Sequence, residues 1–162
     1  MITIEVNDRG VLDMLARLQR GLGNMAPAMA DIAQALASES ERQFSSESGP
    51  LGPWPDLSDE TTKVFRGQRG TWPGKMLQVS AGGLAASVQT AFGRDFASVG
   101  TNKPYSAIHM FGGTTSPSSM IPGKDIPARP YLPFHPETLE LTSEAKATVL
   151  EILESYLNQL AS

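Results

Sequence analysis

Apolar and polar residues alternate from Ile2 to Val6, the period-2 pattern of a half-buried strand. Asn7 and Asp8 follow, with short side chains that can accept the free N–H groups of a helix start. Val11, Leu12, Leu15, Leu18 and Leu22 then recur at helical spacing, and Gly21 and Gly23 supply a stop. Asn24 is the expected cap of a second helix, with Pro27 tolerated in its first turn. Met25, Met29, Ile32, Leu36 and Phe44 form its apolar stripe, which runs to about Ser46, while Ser38, Glu39, Glu41 and Arg42 take other faces. Together the two helices read as a hairpin laying its apolar face on a sheet.

Regularity fades over residues 48–83. Gly49, Pro50, Gly52, Pro53 and Pro55 break helices; Ser58, Asp59 and Glu60 can start a short one to Phe65; Gly67, Gly70, Pro73 and Gly74 end it. So long a connection is a functional or mobile segment. Leu84, Ala86, Val88, Thr90 and Phe92 alternate along a strand, Gly93-Arg94-Asp95 is a turn, and Phe96 to Val99 returns, giving a β-hairpin. Tyr105 to Phe111 is a short helix after Pro104, and residues 112–136 are irregular, with six prolines. A last helix from Thr142 or Ser143 carries Ala145, Val149, Ile152, Leu153, Tyr156, Leu157 and Leu160 on one broad face. The expected fold is α+β in a single domain of residues 1–162. A small, mainly antiparallel sheet from residues near 2–6, 84–92 and 96–100 is covered by the N-terminal helical hairpin and the C-terminal helix, with long Gly/Pro-rich loops at about 48–83 and 112–136.

Composition narrows the chemistry. The 162 residues include no cysteine, which removes disulfides, thiolate zinc sites and a thiol nucleophile. The net charge of −4 gives no overall basic field for nucleic acid. No apolar run reaches the ~20 residues that span a bilayer, and the N-terminus lacks the pattern of a signal peptide, so no membrane partner is expected. The two histidines, His109 and His135, have no spacing that would pre-place two metal ligands. His109, among Ile108, Met110 and Phe111, reads as a packed histidine with one nitrogen satisfied, and His135 as a loop residue. Gly74-Lys75 fails as a phosphate loop, since Arg69 stands at the first glycine position and Met76 at the hydroxyl position. Asp56, Asp59 and Glu60 suit a solvated helix start better than a catalytic carboxylate pair. No catalytic residue, metal or cofactor is assigned, and the expectation is a protein that is not an enzyme.

Two rival functions remain. Lys63, Arg66, Arg69 and Lys75, with Phe65 and Trp72 between them, make loop 63–75 a candidate nucleic-acid module, although nucleic acid is not the expected partner. A hydrolase built on His109 and nearby acids is the other. Trp54 and Trp72, both in Pro-rich loops, either tuck onto the domain or meet a partner.

Several separated pieces carry a resemblance. They are Gly52-Pro53-Trp54-Pro55-Asp56-Leu57-Ser58 with Thr61; Leu77 with Gly83-Leu84-Ala85-Ala86-Ser87-Val88; Ala97-Ser98-Val99-Gly100-Thr101-Asn102 with Pro104-Tyr105-Ser106-Ala107-Ile108-His109-Met110-Phe111-Gly112-Gly113; and Ile126-Pro127-Ala128-Arg129-Pro130-Tyr131-Leu132. Their order and spacing over roughly Leu51 to Pro136 resemble the phage virion morphogenesis family, which includes Mu-like gpG proteins and tail completion proteins. The resemblance implies a ring-forming structural protein of a phage or prophage, on a small α+β scaffold, that acts in tail completion or head–tail joining. It implies a place in the tail or neck of a virion assembled in the bacterial cytoplasm. The implied partners are further copies of the chain and tail tube, terminator or head–neck proteins.

The residues add a physical reason. Ile126 to Pro130 is a stiff extended arm, because each proline fixes its own φ and extends its predecessor. Stiff arms lose little entropy on docking. Arg129 within it is placed for a forked contact with a carboxylate of this chain or of a neighbour. Trp54, Trp72, Arg129 and Tyr131 are therefore the candidate partner-contact residues.

Overall fold

A computed structural model describes residues 9–58, 75–78 and 81–162. The expected strand Ile2–Val6 and most of the short helix expected after Ser58 lie outside these residues. Helix α1 spans Arg9–Leu22 and ends where Gly23 N–H donates to Gln19 O. Helix α2 spans Ala26–Ser46; its N-cap position is Met25, with no side-chain cap bond, rather than the expected Asn24, whose Oδ1 accepts the Ala26 N–H at 3.3 Å from one residue upstream. The apolar stripe of α2 buries Ile32, Leu36 and Phe44. The two helices divide their packing: α2 lies against the β3–β4 hairpin and helix α4, and α1 lies against α4.

Short antiparallel ladders sit between the helices. Strand β1 (Ser48–Gly49) pairs with β2 (Gly52–Pro53). Strand β3 (Val88–Phe92) pairs with β4 (Ala97–Thr101), Thr90 opposite Val99. Beyond helix α3 (Ser106–Phe111), β5 (Gly113–Thr114) pairs with β6 (Asp125–Ile126). Helix α4 (Ser143–Ala161) closes the chain, with Thr142 Oγ1 accepting the Ala145 N–H as its cap.

Two details differ from the pattern in the sequence. The strand expected from Leu84 begins only at Val88, because Ser87 closes a 3-10 turn on Leu84 O through both its N–H (3.0 Å) and its hydroxyl (2.7 Å). Leu84 is thereby turned into the core rather than paired. The segment 112–136 is also less irregular than its prolines suggest. Within it Thr115 N–H donates to Lys124 O, extending the β5–β6 ladder.

Among the described residues the interior has two clusters. Ile32, Leu36 and Ala145, with Val149, Ile152 and Leu153 around them, seal α2 against α4. Phe44, Trp54, Met76, Leu84, Met110, Tyr131 and Leu132 form the second, where the loops meet the end of α2. Val99 touches both.

Candidate functional site

The second cluster is built from the C-terminal end of α2 outward. Glu47 ends the helix in the left-handed region (φ 52°). That conformation is unfavourable for a non-glycine residue, and contacts made by Glu47 hold it in place. Its carbonyl accepts the Trp54 N–H at 2.8 Å and its Oε1 accepts the Met76 N–H at 2.6 Å. Two further donors from the same segment satisfy helix-end carbonyls: Lys75 Nζ on Ser45 O (2.9 Å) and Gln78 Nε2 on Phe44 O (2.7 Å). Lys75, one of the four cations of the candidate nucleic-acid loop, is thus engaged inside the chain. Lys63, Arg66, Arg69 and Trp72 lie outside the described residues.

The proline arm closes over this base. Trp54 Nε1 donates to Pro130 O at 2.9 Å, and Arg129 donates back, through Nε to Pro55 O (2.9 Å) and Nη2 to Asp56 O (2.8 Å). Each strand of the contact therefore gives and receives. The Arg129 N–H also donates to His109 O at 2.7 Å, which docks the arm on α3. Gly112 at the end of α3 has φ 72°, and a Cβ there would stand 2.9 Å from Ala128 N, so only glycine fits the approach.

Aromatic rings fill the space beneath. Phe44 meets Trp54 edge-on at 5.7 Å and stacks on Tyr131 at 5.3 Å, the ordinary favourable geometries. Tyr131 O–H donates to Ser106 O at 3.3 Å, and burial pushes its phenol above the ordinary value. The Gln43 amide lies against the carbonyls of Tyr131 and Leu132, 3.2 and 3.3 Å from its nitrogen in the orientation that satisfies both.

The sequence-derived candidates are thus placed as follows. Trp54 (5% exposed), Arg129 (4%) and Tyr131 (1%) come together, as internal struts whose polar atoms are bonded within the chain. Trp72 lies outside the described residues. The fork of Arg129 grips main-chain carbonyls rather than a carboxylate. Burial lowers its pKa and the nearby Asp56 charge raises it in part. Residues missed by sequence reasoning are Gly49, Gln43 and Glu47. Gly49 read only as a helix breaker, yet a Cβ on it would lie 2.2 Å from Pro130 O.

His109 is packed in α3 with its ring edge-on to Tyr105 at 6.0 Å. Its Nδ1 is buried with no hydrogen-bond partner among the described residues. Burial lowers its pKa, and the Arg129 charge lowers it further. Among the described residues no group of three or more His, Asp or Glu could hold a metal ion. No described helix is long and apolar enough to cross a membrane.

The phage virion morphogenesis family matches residues 6–158 of the chain. The Mu-like prophage FluMu G protein 2 of Haemophilus influenzae is 32% identical over 161 residues, 99% of each chain. A protein of Escherichia phage Mu provisionally named capsid assembly protein G is 32% identical over 132 residues, 77% of this chain and 83% of its own. FluMu G protein 1 of H. influenzae is 36% identical over 103 residues, 62% of each. No solved structure matches the chain.

Two outcomes follow from the geometry. Gly49→Ala forces its methyl into Pro130 O and should destabilise the fold by about 1–3 kcal/mol, read by urea denaturation; an unchanged midpoint would show that the arm yields freely. His109 sets a pH dependence. Its folded pKa lies below the ordinary 6.5, so between the two values the unfolded chain binds more protons. Its contribution is therefore intact above the ordinary value and declines as pH falls through the folded one. Unfolding of wild type and His109→Gln, compared between about pH 7.5 and 5.5, should show a shallower acid decline in the variant; equal slopes would exclude His109 as the source.

Proposed function

Since the chain belongs to the phage virion morphogenesis family, we propose that it is a structural protein of tail completion or head–tail joining, acting as a ring of identical copies in the tail or neck of the particle. The observation that carries this reading is the match along 99% of the chain to a Mu-like prophage G protein, supported by a match along 77% of it to a phage Mu protein named for capsid assembly. The proposed partners are further copies of the chain and tail tube, terminator or head–neck proteins, met during assembly in the bacterial cytoplasm.

The clasp formed by Trp54 on Pro130 O and Arg129 on Pro55 O and Asp56 O suits such a role. Trp54, Arg129 and Tyr131 act on a partner indirectly, by fixing the rim above them. Leu51, Pro53, Pro55 and Pro127 are exposed on that rim and belong to segments whose carbonyls and side chains are already tied. A rim held in one shape loses little entropy when a partner lands on it.

Inactivating the gene in an inducible prophage should leave heads and tails that fail to join, seen by electron microscopy, with joined particles restored by the wild-type chain. Normal infectious particles from the inactivated prophage would remove the proposal.

A further inference from the structure

The β3–β4 hairpin has an unusual pair of edges. The bonded pair in which Gly93 N–H donates to Phe96 O (2.9 Å) sets the alternation of an antiparallel ladder. By that alternation the main-chain N–H and C=O groups of Thr90 and Phe92 turn away from β4, and those of Ala97 and Val99 turn away from β3. No described hydrogen bond reaches any of these outward groups. Strands are normally protected from edge pairing by a charge, a proline or a bulge. Val88–Phe92 and Ala97–Thr101 contain none of these, and the hairpin's only charges, Arg94 and Asp95, sit in its turn. Gln89, Thr90, Ala91 and Phe92 are all exposed, and Phe92 and Phe96 leave about half of each ring in solvent (52% and 51%).

We propose that this hairpin is the contact between copies: the β3 edge of one chain pairs with the β4 edge of the next. The inference rests on the ring reading and deepens it. A second copy is the occupant the geometry favours, because one chain carries both unbonded edges, each five residues long and uncharged, the β4 strand being half-buried except at Ser98. Main-chain bonds supply the contact, as in other strand additions. The two edges are different surfaces, so pairing is head-to-tail and the sheet runs on from copy to copy. Such a contact closes into a ring where the rotation per copy allows. Antiparallel alternation is kept throughout, since β3 beside the next copy's β4 repeats the pairing already present within each hairpin. Burial of Phe92 and Phe96 against the neighbouring hairpin removes the exposed rings from water.

Thr90→Pro tests the proposal. It deletes an outward N–H and leaves the β3–β4 ladder intact, since that ladder does not use this group. Phe92→Lys is the companion variant, placing a charge on the edge. Sedimentation across a wide concentration range should show wild-type self-association weakened at least about tenfold in both variants, with circular dichroism unchanged. Hydrogen exchange of the associated wild type should protect Thr90 and Phe92 on β3 and also Ala97 and Val99 on β4. Protection of β3 alone would mean twofold pairing and would overturn the head-to-tail contact. Association as strong in Thr90→Pro as in wild type would overturn this surface while leaving the ring reading intact. A wild type that is monomeric at every concentration would overturn the hairpin contact, and the prophage experiment would still decide the role in assembly. The segment Ile2–Val6 is the rival occupant within the chain. A variant lacking residues 1–7 that still self-associates, and loses association with Thr90→Pro, supports pairing between copies; loss of association on that deletion alone overturns it.

Discussion

The hydrogen bond from the Trp54 indole to the Pro130 carbonyl joins two loops 76 residues apart in sequence, and the rest of the loop structure hangs from it. Arg129, the neighbour of Pro130, returns two bonds to the carbonyls of Pro55 and Asp56. Once the arm is set, Arg129 N–H fixes the end of α3 through His109 O, and Tyr131 falls onto Phe44. Phe44 is the last buried apolar residue of α2, so the clasp also ties the loops to the helical layer.

Magnitudes show why this contact governs and the surface ion pairs do not. Lys146 with Glu140 is an exposed pair, and Arg42 with Glu39 pairs an exposed arginine with a half-buried carboxylate; surface pairs of this kind contribute roughly 0–1 kcal/mol each. A buried guanidinium is costly to desolvate, and a buried donor left without its acceptor typically costs about 1–3 kcal/mol, more when it is charged. Arg129 avoids that cost through two carbonyl acceptors and the Asp56 charge nearby. The indole and guanidinium bonds run in opposite directions between the same two segments, so the pieces stand or fall together.

Much of the scaffold was legible because periodic burial leaves a periodic sequence. Both N-terminal helices, the hairpin turn at Gly93, helix α3 and a last helix starting near Thr142 or Ser143 follow from local patterns. The clasp was only half legible. Trp54 and Arg129 stand out as residues that must find a partner, but a Pro-rich loop does not encode where its carbonyls point. The expected carboxylate for Arg129 was therefore a carbonyl pair, and an arginine that could have met a neighbour is spent inside the chain. Gly49 and Glu47 were invisible for the same reason: a close approach from Pro130 and a carboxylate aimed at Met76 N–H are long-range facts. Ser87 shows the converse, a local hydroxyl that overrides an alternating strand pattern over four residues.

In this member of the phage virion morphogenesis family the loops hold their shape by bonding to one another. The central claim is that Trp54 and Arg129 act as one unit. A double-mutant cycle of Trp54→Phe and Arg129→Lys, followed by urea denaturation, measures this directly. The account predicts a coupling of about 0.5–3 kcal/mol, the double variant losing less than the sum of the singles. Strict additivity, with each single variant costing only what an isolated surface contact would, would contradict it.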